Sequence, residues 1–255
     1  TSPAIDVAFA VVDEADARQR SGLGDDVCGQ MNLAIWTTTP WTIPANMAVC
    51  LNAELDYVWL AYQRDGRDEL LLLAEALHEQ VMARLGIADF RIVGRCKGQA
   101  LEGLALQHPL YDRQVPVILG DHVTTEAGTG AVHTAPAHGQ DDFAVGQKYG
   151  LDVYNPVGPN GVYIEGTELF GGQHVFKANE QVIAELEARQ RLLHNAAYPH
   201  SYPHCWRHKT PIIFRATPQW FVSMKQNGLL DKAMQAVDGV QWMPGWGRAR
   251  IESMM

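Results

Sequence analysis

Short apolar runs separated by turn-forming residues follow one another through the first half of the chain. They fall at 7–12, 33–37, 47–51, 57–62, 70–74, 90–93, 115–119 and 130–133, and are rich in Val, Ile, Leu and aromatic residues. Runs of that length and composition predict β-strands. Asp65-Gly66-Arg67, between two of them, predicts a hairpin turn. Helical spacing is confined to 75–85, 142–149, 178–192 and 228–236. The third of these separates Val182, Ile183 and Leu186 from Glu185, Glu187 and Arg189, the pattern of an amphipathic surface helix. Many short strands with few helices, and no regular β-α-β alternation, predict an α+β or barrel-like domain and not a doubly wound sheet. Residues 158–161 (Gly-Pro-Asn-Gly) read as a loop, and no internal repeat is visible.

Composition narrows the class. At 47% hydrophobic and 19% charged, a chain of 255 residues can bury a real core as one domain, or one domain with an appendage. No run approaches membrane-span length, and the start at Thr1 lacks signal-peptide regions and an initiator Met, as expected for a piece of a longer cytoplasmic protein. Cys28, Cys50, Cys96 and Cys205 form no CxxC pair, so reduced thiols are the expectation. The net charge of −9 argues against nonspecific nucleic-acid binding, which needs clustered Lys and Arg. Its distribution is uneven: residues 1–188 hold 11 basic and 26 acidic groups (−15), residues 189–255 hold 9 and 3 (+6). That asymmetry suggests a C-terminal face that meets phosphate. Pro199, Pro203, Pro211, Pro218 and Pro244 punctuate the same region, where Trp206, Trp220, Trp242 and Trp246 also gather. The expected organisation is a domain over 1–197 and a connector over 198–255.

Chemistry concentrates in residues 128–143, Gly-Thr-Gly-Ala-Val-His-Thr-Ala-Pro-Ala-His-Gly-Gln-Asp-Asp-Phe. A glycine turn leads through a short β-like run to two adjacent carboxylates at the start of a helix. Asp141 or Asp142 could simply cap that helix and meet its dipole. A carboxylate there could equally make a charge-assisted bond to an ammonium group. Histidine titrates near neutrality as a residue type, which makes His133 a candidate base. The second segment, 35–46, is Ile-Trp-Thr-Thr-Thr-Pro-Trp-Thr-Ile-Pro-Ala-Asn. Thr37, Thr38 and Thr39 offer hydroxyls and methyls at a strand end, although Thr is also an ordinary strand residue. Asn46 is a turn residue or a polar pocket contact, and Trp41 is core packing or a stacking platform for a base. His133, His138, Asp141 and Asp142 are also possible metal ligands, as are His200, His204, Cys205 and His208. Against the first set, Pro136 breaks any helix between the histidines; against the second, Pro199 and Pro203 do the same.

These two segments, with Ser201-Tyr202-Pro203-His204-Cys205-Trp206-Arg207-His208-Lys209-Thr210-Pro211 and Thr217-Pro218-Gln219-Trp220-Phe221, resemble the inserted editing domain (connective polypeptide 1) of class I aminoacyl-tRNA synthetases for branched aliphatic amino acids. Thr37-Thr38-Thr39-Pro40 is similar to the isoleucyl-tRNA synthetase form, where the valyl and leucyl families read Thr-Thr-Arg-Pro. The resemblance covers essentially the whole chain. It implies a barrel-like α+β editing domain with peripheral helices, and a connector returning toward a catalytic body that the chain lacks. It implies hydrolysis of misacylated Val-tRNA(Ile), and valyl-adenylate as a further substrate. A synthesis pocket cannot strongly reject a side chain one methylene too small, a limit for which isoleucine and valine are the standard illustration. Asp142 then holds the α-ammonium, Thr38 and Thr39 shape the pocket and contact ester or adenosine, and His133 lines it as part of the size sieve. Asn46, Thr37 and Trp41 complete the binding set, with Asp141 as cap or solvent-facing. The partners implied are the 3′ end of aminoacylated tRNA(Ile), its valine moiety and the catalytic body of the same enzyme. A monomer in the cytoplasm, without membrane contact, cofactor or metal, is expected. The rival readings are a noncatalytic tRNA-binding module and a metal-dependent hydrolase.

Overall fold

The computed structural model describes residues 1–24 and 26–255. Two compact units result, Thr1–Ala216 and Thr217–Met255. In the first, ten strands form one hydrogen-bonded sheet with helices at its periphery. Strand β1 (Ser2–Val11) is its spine: eight of its residues are buried, and it has neighbours on both sides. Strand β2 (Gln30–Thr37) runs antiparallel to it on one side. On the other side β10 (Leu192–Tyr198) covers its first half and β7 (Ala105–Gln107) its end.

Beyond β2 lie β5 (Arg67–Ala74), parallel to it, then β4 (Asp56–Arg64) and β6 (Phe90–Lys97). Asp65 and Gly66 alone join β4 to β5, with φ of 50° and 75°. Two positive φ values in a two-residue loop match the right-handed twist of a hairpin, and Asp-Gly tolerates them. Beyond β7 lies β8 (Gln114–Leu119), whose first residues pair with β7 and whose last three pair with β3 (Ala48–Leu51). The path ends on β9 (Val132–Thr134), antiparallel to β3. Its two ends, β6 and β9, are not paired with each other. The α+β class is as expected, but the hydrogen-bonded ladder is open.

Sequence and structure differ where a segment lacks an apolar period. Helix α1 (Glu14–Ser21) buries only Ala17 and Ser21, so periodicity could not reveal it. Caps hold it instead: Asp13 accepts from the Asp16 N–H at 3.0 Å, Gly22 ends it in the left-handed region, and Arg20 pairs with Asp16 at 2.7 Å. The run expected as one helix over 75–85 is a 3-10 turn, Glu75–Leu77, followed by helix α2 (His78–Arg84). The run at 142–149 starts earlier, as helix α3 (Gln140–Tyr149). Helix α4 (Val175–Ala188) buries Val175, Ala178, Val182 and Leu186. It stops short of Leu192 because Gln190 takes a φ of 58°, and Leu192 opens β10 instead. Strand β10 was not expected; its Asn195-Ala196-Ala197 has little strand propensity and owes its form to pairing with β1.

The second unit holds α5 (Leu229–Asp238) and α6 (Gly247–Met254), with Arg248 ion-paired to both Asp238 and Glu252.

One buried ion pair ties the first unit together. Asp6 on β1 is fully buried, and Arg84 from α2 reaches it with two bonds, Nη2 to Oδ1 at 2.7 Å and Nε to Oδ2 at 3.0 Å. The same guanidinium donates to the Gly128 carbonyl at 3.2 Å, at the turn that leads into β9. Removing the cation strands a carboxylate away from water, whereas exposed pairs contribute little. We therefore expect Arg84→Ala to lower unfolding free energy by about 3–5 kcal/mol in urea denaturation. Arg95→Ala, which breaks the exposed Arg95–Glu75 pair, should cost under about 1 kcal/mol. Equal losses in the two variants would remove the pair from its central place.

Candidate functional site

Four segments converge on one cavity of about 280 Å³, lined by Thr37, Thr39, Trp41, Thr42, His133, His138, Asp142, Tyr202 and Phe214. The first segment leaves β2 and turns at Pro40 into a 3-10 helix, Pro40–Ala45, every residue of which is buried. Helix α4 packs on it, and the Trp41 N–H donates to Asn179 Oδ1 at 3.0 Å. The Tyr163 hydroxyl donates to the Trp41 carbonyl. Trp41 itself is buried, edge-on to His138 with centroids 5.1 Å apart, so it is packed inside the wall rather than offered as a free stacking face.

The second segment is the glycine turn. Gly128 and Gly130 have φ of 83° and 75°, and a Cβ on Gly130 would stand 2.3 Å from the Ala74 Cβ. Only glycine meets both demands. The Thr129 carbonyl accepts from the Ala74 N–H at 2.9 Å, and the Tyr57 hydroxyl donates to the Gly130 carbonyl at 2.6 Å. This clamp delivers β9, where His133 pairs with Val49.

Both nitrogens of His133 are spoken for. Nε2 lies 2.8 Å from Thr42 Oγ1, and Nδ1 lies 2.8 Å from Asn46 Nδ2. The Thr42 hydroxyl spends its one proton on the Thr39 carbonyl at 2.8 Å, so it can only accept from the ring. The Asn46 amide donates to the ring and to the Ala48 carbonyl, which can only accept. This network assigns the proton to Nε2 and the lone pair to Nδ1, a neutral imidazole. Burial lowers its pKa to about 3, helped by nearby His138. His133 is thus a fixed apolar-edged wall with no nitrogen left for a substrate proton. Asn46 is fully buried behind it and holds the ring from outside the cavity.

The third segment, 134–142, carries the carboxylate. Asp142 Oδ2 accepts from the Ala135 N–H at 2.9 Å, folding back across the start of α3. Gly139 is the N-cap, in extended conformation and without a side-chain cap bond. A Cβ there would stand 2.8 Å from the Asp142 carboxyl carbon, so the small residue leaves room for the fold-back. Burial raises the Asp142 pKa to about 6, while the Ala135 N–H and then His122 pull it down. Asp141 is exposed, which keeps the solvent-facing alternative and rules out the cap.

The fourth segment lies within the region expected as a connector. Phe214 and Tyr202 line the cavity, and 214–216 is stitched to the carboxylate loop. The Ala216 N–H donates to the Ala137 carbonyl at 2.7 Å, and Asn155 Nδ2 donates to the Ala216 carbonyl at 2.8 Å. The compact unit accordingly runs to Ala216. Thr38 faces a second cavity, of about 320 Å³, which shares Thr39, Trp41 and Tyr202 with the first and adds Phe176, Asn179 and His200.

Of the expected residues, Thr37, Thr39, Trp41, His133 and Asp142 meet at the main cavity, Thr38 stands next door and Asn46 behind. Thr42, His138, Tyr202 and Phe214 were not expected in the binding set. Thr42 and His138 lie inside the two motifs and Tyr202 inside the segment 201–211 that shares the resemblance, which was the available signal; nothing local marks Phe214. Among the described residues, no three His, Cys, Asp or Glu side chains are grouped to hold a metal ion. Of the first quartet weighed as ligands, His133 has both nitrogens bonded within the protein and Asp141 is exposed, while His138 and Asp142 line the cavity.

Comparison with known proteins places the chain. The family model for the leucyl-tRNA synthetase editing domain matches residues 29–184. Isoleucine–tRNA ligase of Methylococcus capsulatus is 59% identical over 256 residues, covering 100% of this chain and 27% of that protein. That of Alkalilimnicola ehrlichii is 58% identical over 257 residues, with the same coverage of 100% and 27%. The chain therefore spans 27% of the length of these curated relatives. The crystal structure of the P. falciparum cytosolic leucyl-tRNA synthetase editing domain superposes with a TM-score of 0.62 at 10% identity, over 78% of this chain and 100% of that one. The crystal structure of GlLeuRS-CP1 gives 0.59 at 16% identity, over 78% and 99%. Such low identities show a shared fold. The chain belongs to the family of leucyl-tRNA synthetase editing domains, in the form carried by isoleucine–tRNA ligases.

Proposed function

We propose that this chain hydrolyses the ester of Val-tRNA(Ile), releasing valine and free tRNA, within a larger isoleucine–tRNA ligase in the cytoplasm. The observation that carries this reading is a half-buried carboxylate, Asp142, set in a small cavity that the saturated imidazole of His133 also lines. A carboxylate in that setting favours an ammonium partner, because an opposite charge offsets the desolvation that raises its pKa. Thr37, Thr39 and Thr42 line the same cavity with small hydroxyl-bearing side chains.

In this reading Asp142 holds the α-ammonium and His133 limits side-chain size, with Asn46 and Thr42 fixing its ring. Thr39 stands between the two cavities and meets the ester, while Thr38 and the second cavity take the terminal adenosine. The barrel-like description belongs here too, supported by β8 passing from β7 to β3 and by the Ala74–Thr129 bond at the far end of β5. Residues 217–255 serve as the connector to the catalytic body; Trp220, Phe221 and Trp246 are exposed and offer it apolar contacts. Hydrolysis of valyl-adenylate, a monomeric state and partnership with tRNA(Ile) complete the proposal.

Three outcomes test it. Asp142→Ala should reduce Val-tRNA(Ile) deacylation about 100-fold or more, the scale of a lost buried charge-assisted contact to substrate. Near-wild-type hydrolysis in that variant would remove Asp142 as the ammonium anchor, and a parent that binds the tRNA end without hydrolysing it would leave a binding module.

His133→Ala should open the sieve and permit attack on Ile-tRNA(Ile), which the parent spares. Unchanged discrimination would take His133 out of the wall.

The third outcome follows from the raised pKa of Asp142. The group binds its proton more tightly folded than unfolded, so the fold gains from it below about pH 4 and loses that gain as pH rises through about 6. Asp142→Asn, which keeps the acceptor for the Ala135 N–H, should therefore stabilise the protein at pH 7 by about 1–2 kcal/mol, discounted for partial exposure. Denaturation at pH 4 should show little difference between the two proteins. A variant destabilised at pH 7 would contradict the burial of an unpaired charge.

A further inference from the structure

The two groups that hold the His133 ring, Thr42 Oγ1 and Asn46 Nδ2, stand on one segment, the 3-10 helix Pro40–Ala45 and its C-cap. The seat of that segment therefore sets where the ring stands. A helix ends with carbonyls that have no partner of their own. The Met47 N–H, which could have closed one more turn, donates instead to the Thr134 carbonyl at 2.9 Å. The carbonyls of Pro44 and of the fully buried Asn46 are left to be satisfied from outside. Both accept from Nη2 of one side chain, Arg113, the Pro44 carbonyl at 3.1 Å. His108, from the same connection between β7 and β8, supports the segment beside it. Its Nδ1 accepts from the Leu110 and Tyr111 N–H groups, so its Nε2 carries the proton and donates to the Ile43 carbonyl at 3.1 Å. The guanidinium is itself held in place. Its centre lies 5.5 Å from the ring centres of both Tyr111 and Tyr154, and the His108 ring stacks on Tyr111 at 5.0 Å. Among the described residues no carboxylate pairs with Arg113, and its hydrogen bonds go to those two carbonyls. Asn46 depends on that anchor because its amide is bonded through nitrogen alone; Oδ1 has no partner among the described residues. None of residues 108–113 lines either cavity, so Arg113 acts from behind the wall.

We propose that Arg113 is a positioning residue for substrate selection: by holding the Pro44 and Asn46 carbonyls it fixes His133, and with it the size limit of the cavity. The inference rests on the deacylase reading above, in which His133 excludes the larger side chain. Rejecting one extra methylene requires a wall that does not yield, and a wall is only as firm as the groups behind it. Without Arg113 two buried carbonyls lose their donor, and the end of segment 40–46 shifts to find another. Asn46 Nδ2 moves with its backbone, the Nδ1 side of the ring is released, and the cavity admits the isoleucyl ester. Asp142 stands on a different segment and keeps its bond to the Ala135 N–H, so attack on the valyl ester continues.

The test uses the full-length ligase that carries this chain, with Val-tRNA(Ile) and Ile-tRNA(Ile) as substrates. Arg113→Met keeps most of the side chain's length and removes its donors. The preference for the valyl ester, as a ratio of kcat/KM values, should fall by about tenfold or more, with the valyl rate within about threefold of the parent. Combined with His133→Ala, Arg113→Met should lower the ratio no further than His133→Ala alone, because both act through one ring. Effects that multiply overturn the inference, and so does an equal loss against both esters, the sign of a general loosening. Arg64→Met, which removes a donor to the Leu192 carbonyl away from both cavities, should leave the ratio unchanged. An equal fall in that variant overturns the inference as well. If Arg113→Met does not fold, Arg113→Gln takes its place: its shorter side chain does not reach the two carbonyls, and a parental ratio in it overturns the inference. A parent that does not hydrolyse Val-tRNA(Ile), or a His133→Ala variant with parental selectivity, overturns the reading on which this inference rests. Selectivity lost in His133→Ala and kept in Arg113→Met overturns this inference alone.

Discussion

The bond from the Ala135 N–H to the Asp142 carboxylate is the constraint on which the site depends. A carboxylate withdrawn from water is unfavourable in its charged form, as the shift of its pKa to about 6 records. One backbone donor, at 2.9 Å, offsets part of that cost and fixes the side chain's direction. To make the bond, the chain must bend back between β9 and α3 within a few residues. Pro136 and Gly139 permit the bend, and Gly139 must lack a Cβ because the carboxyl group occupies that space. The same bend sets His138 into the cavity and presents the Ala137 carbonyl to the Ala216 N–H. Weakening this one contact would therefore disturb the carboxylate, the second histidine and the strap together.

The motifs of the site were legible because their residues are close in sequence and their chemistry is local. A glycine turn, a proline stop and paired carboxylates each leave a mark that spacing can read, and Thr37, Thr39, His133 and Asp142 do meet. What remained hidden is long-range. Asn46 looked like a pocket residue, yet its partner turned out to be the His133 ring 87 positions away, and a sequence does not say which face of a buried amide meets what. Tyr202 and Phe214 lie in a proline-rich stretch without periodicity. Phe214 reaches the cavity where 214–216 bonds to a loop some eighty residues earlier, and the Tyr202 hydroxyl donates to the Ile212 carbonyl in the same stretch. The fold divides the same way. The Asp65-Gly66 hairpin and the apolar strands follow from local rules, whereas β10 exists because β1 has an open edge for it. Helix α1 shows the opposite failure, since caps and an ion pair sustain it without the hydrophobic stripe that periodicity detects.

The two histidines show why identity and pKa do not assign a role. Both are buried, both are held neutral by desolvation, and they sit five positions apart on either side of a proline. Their difference is in hydrogen-bond accounting. His133 has two partners for two nitrogens and can contribute only shape, which suits a sieve that must reject one additional methylene without yielding. His138 has one partner for two nitrogens, the Phe214 carbonyl, and its Nε2 is buried without one. A ring held at both nitrogens cannot turn or tilt without breaking a buried bond, whereas a ring held at one is fixed by its packing against Trp41. The carboxylate fold-back brings both rings to the same cavity.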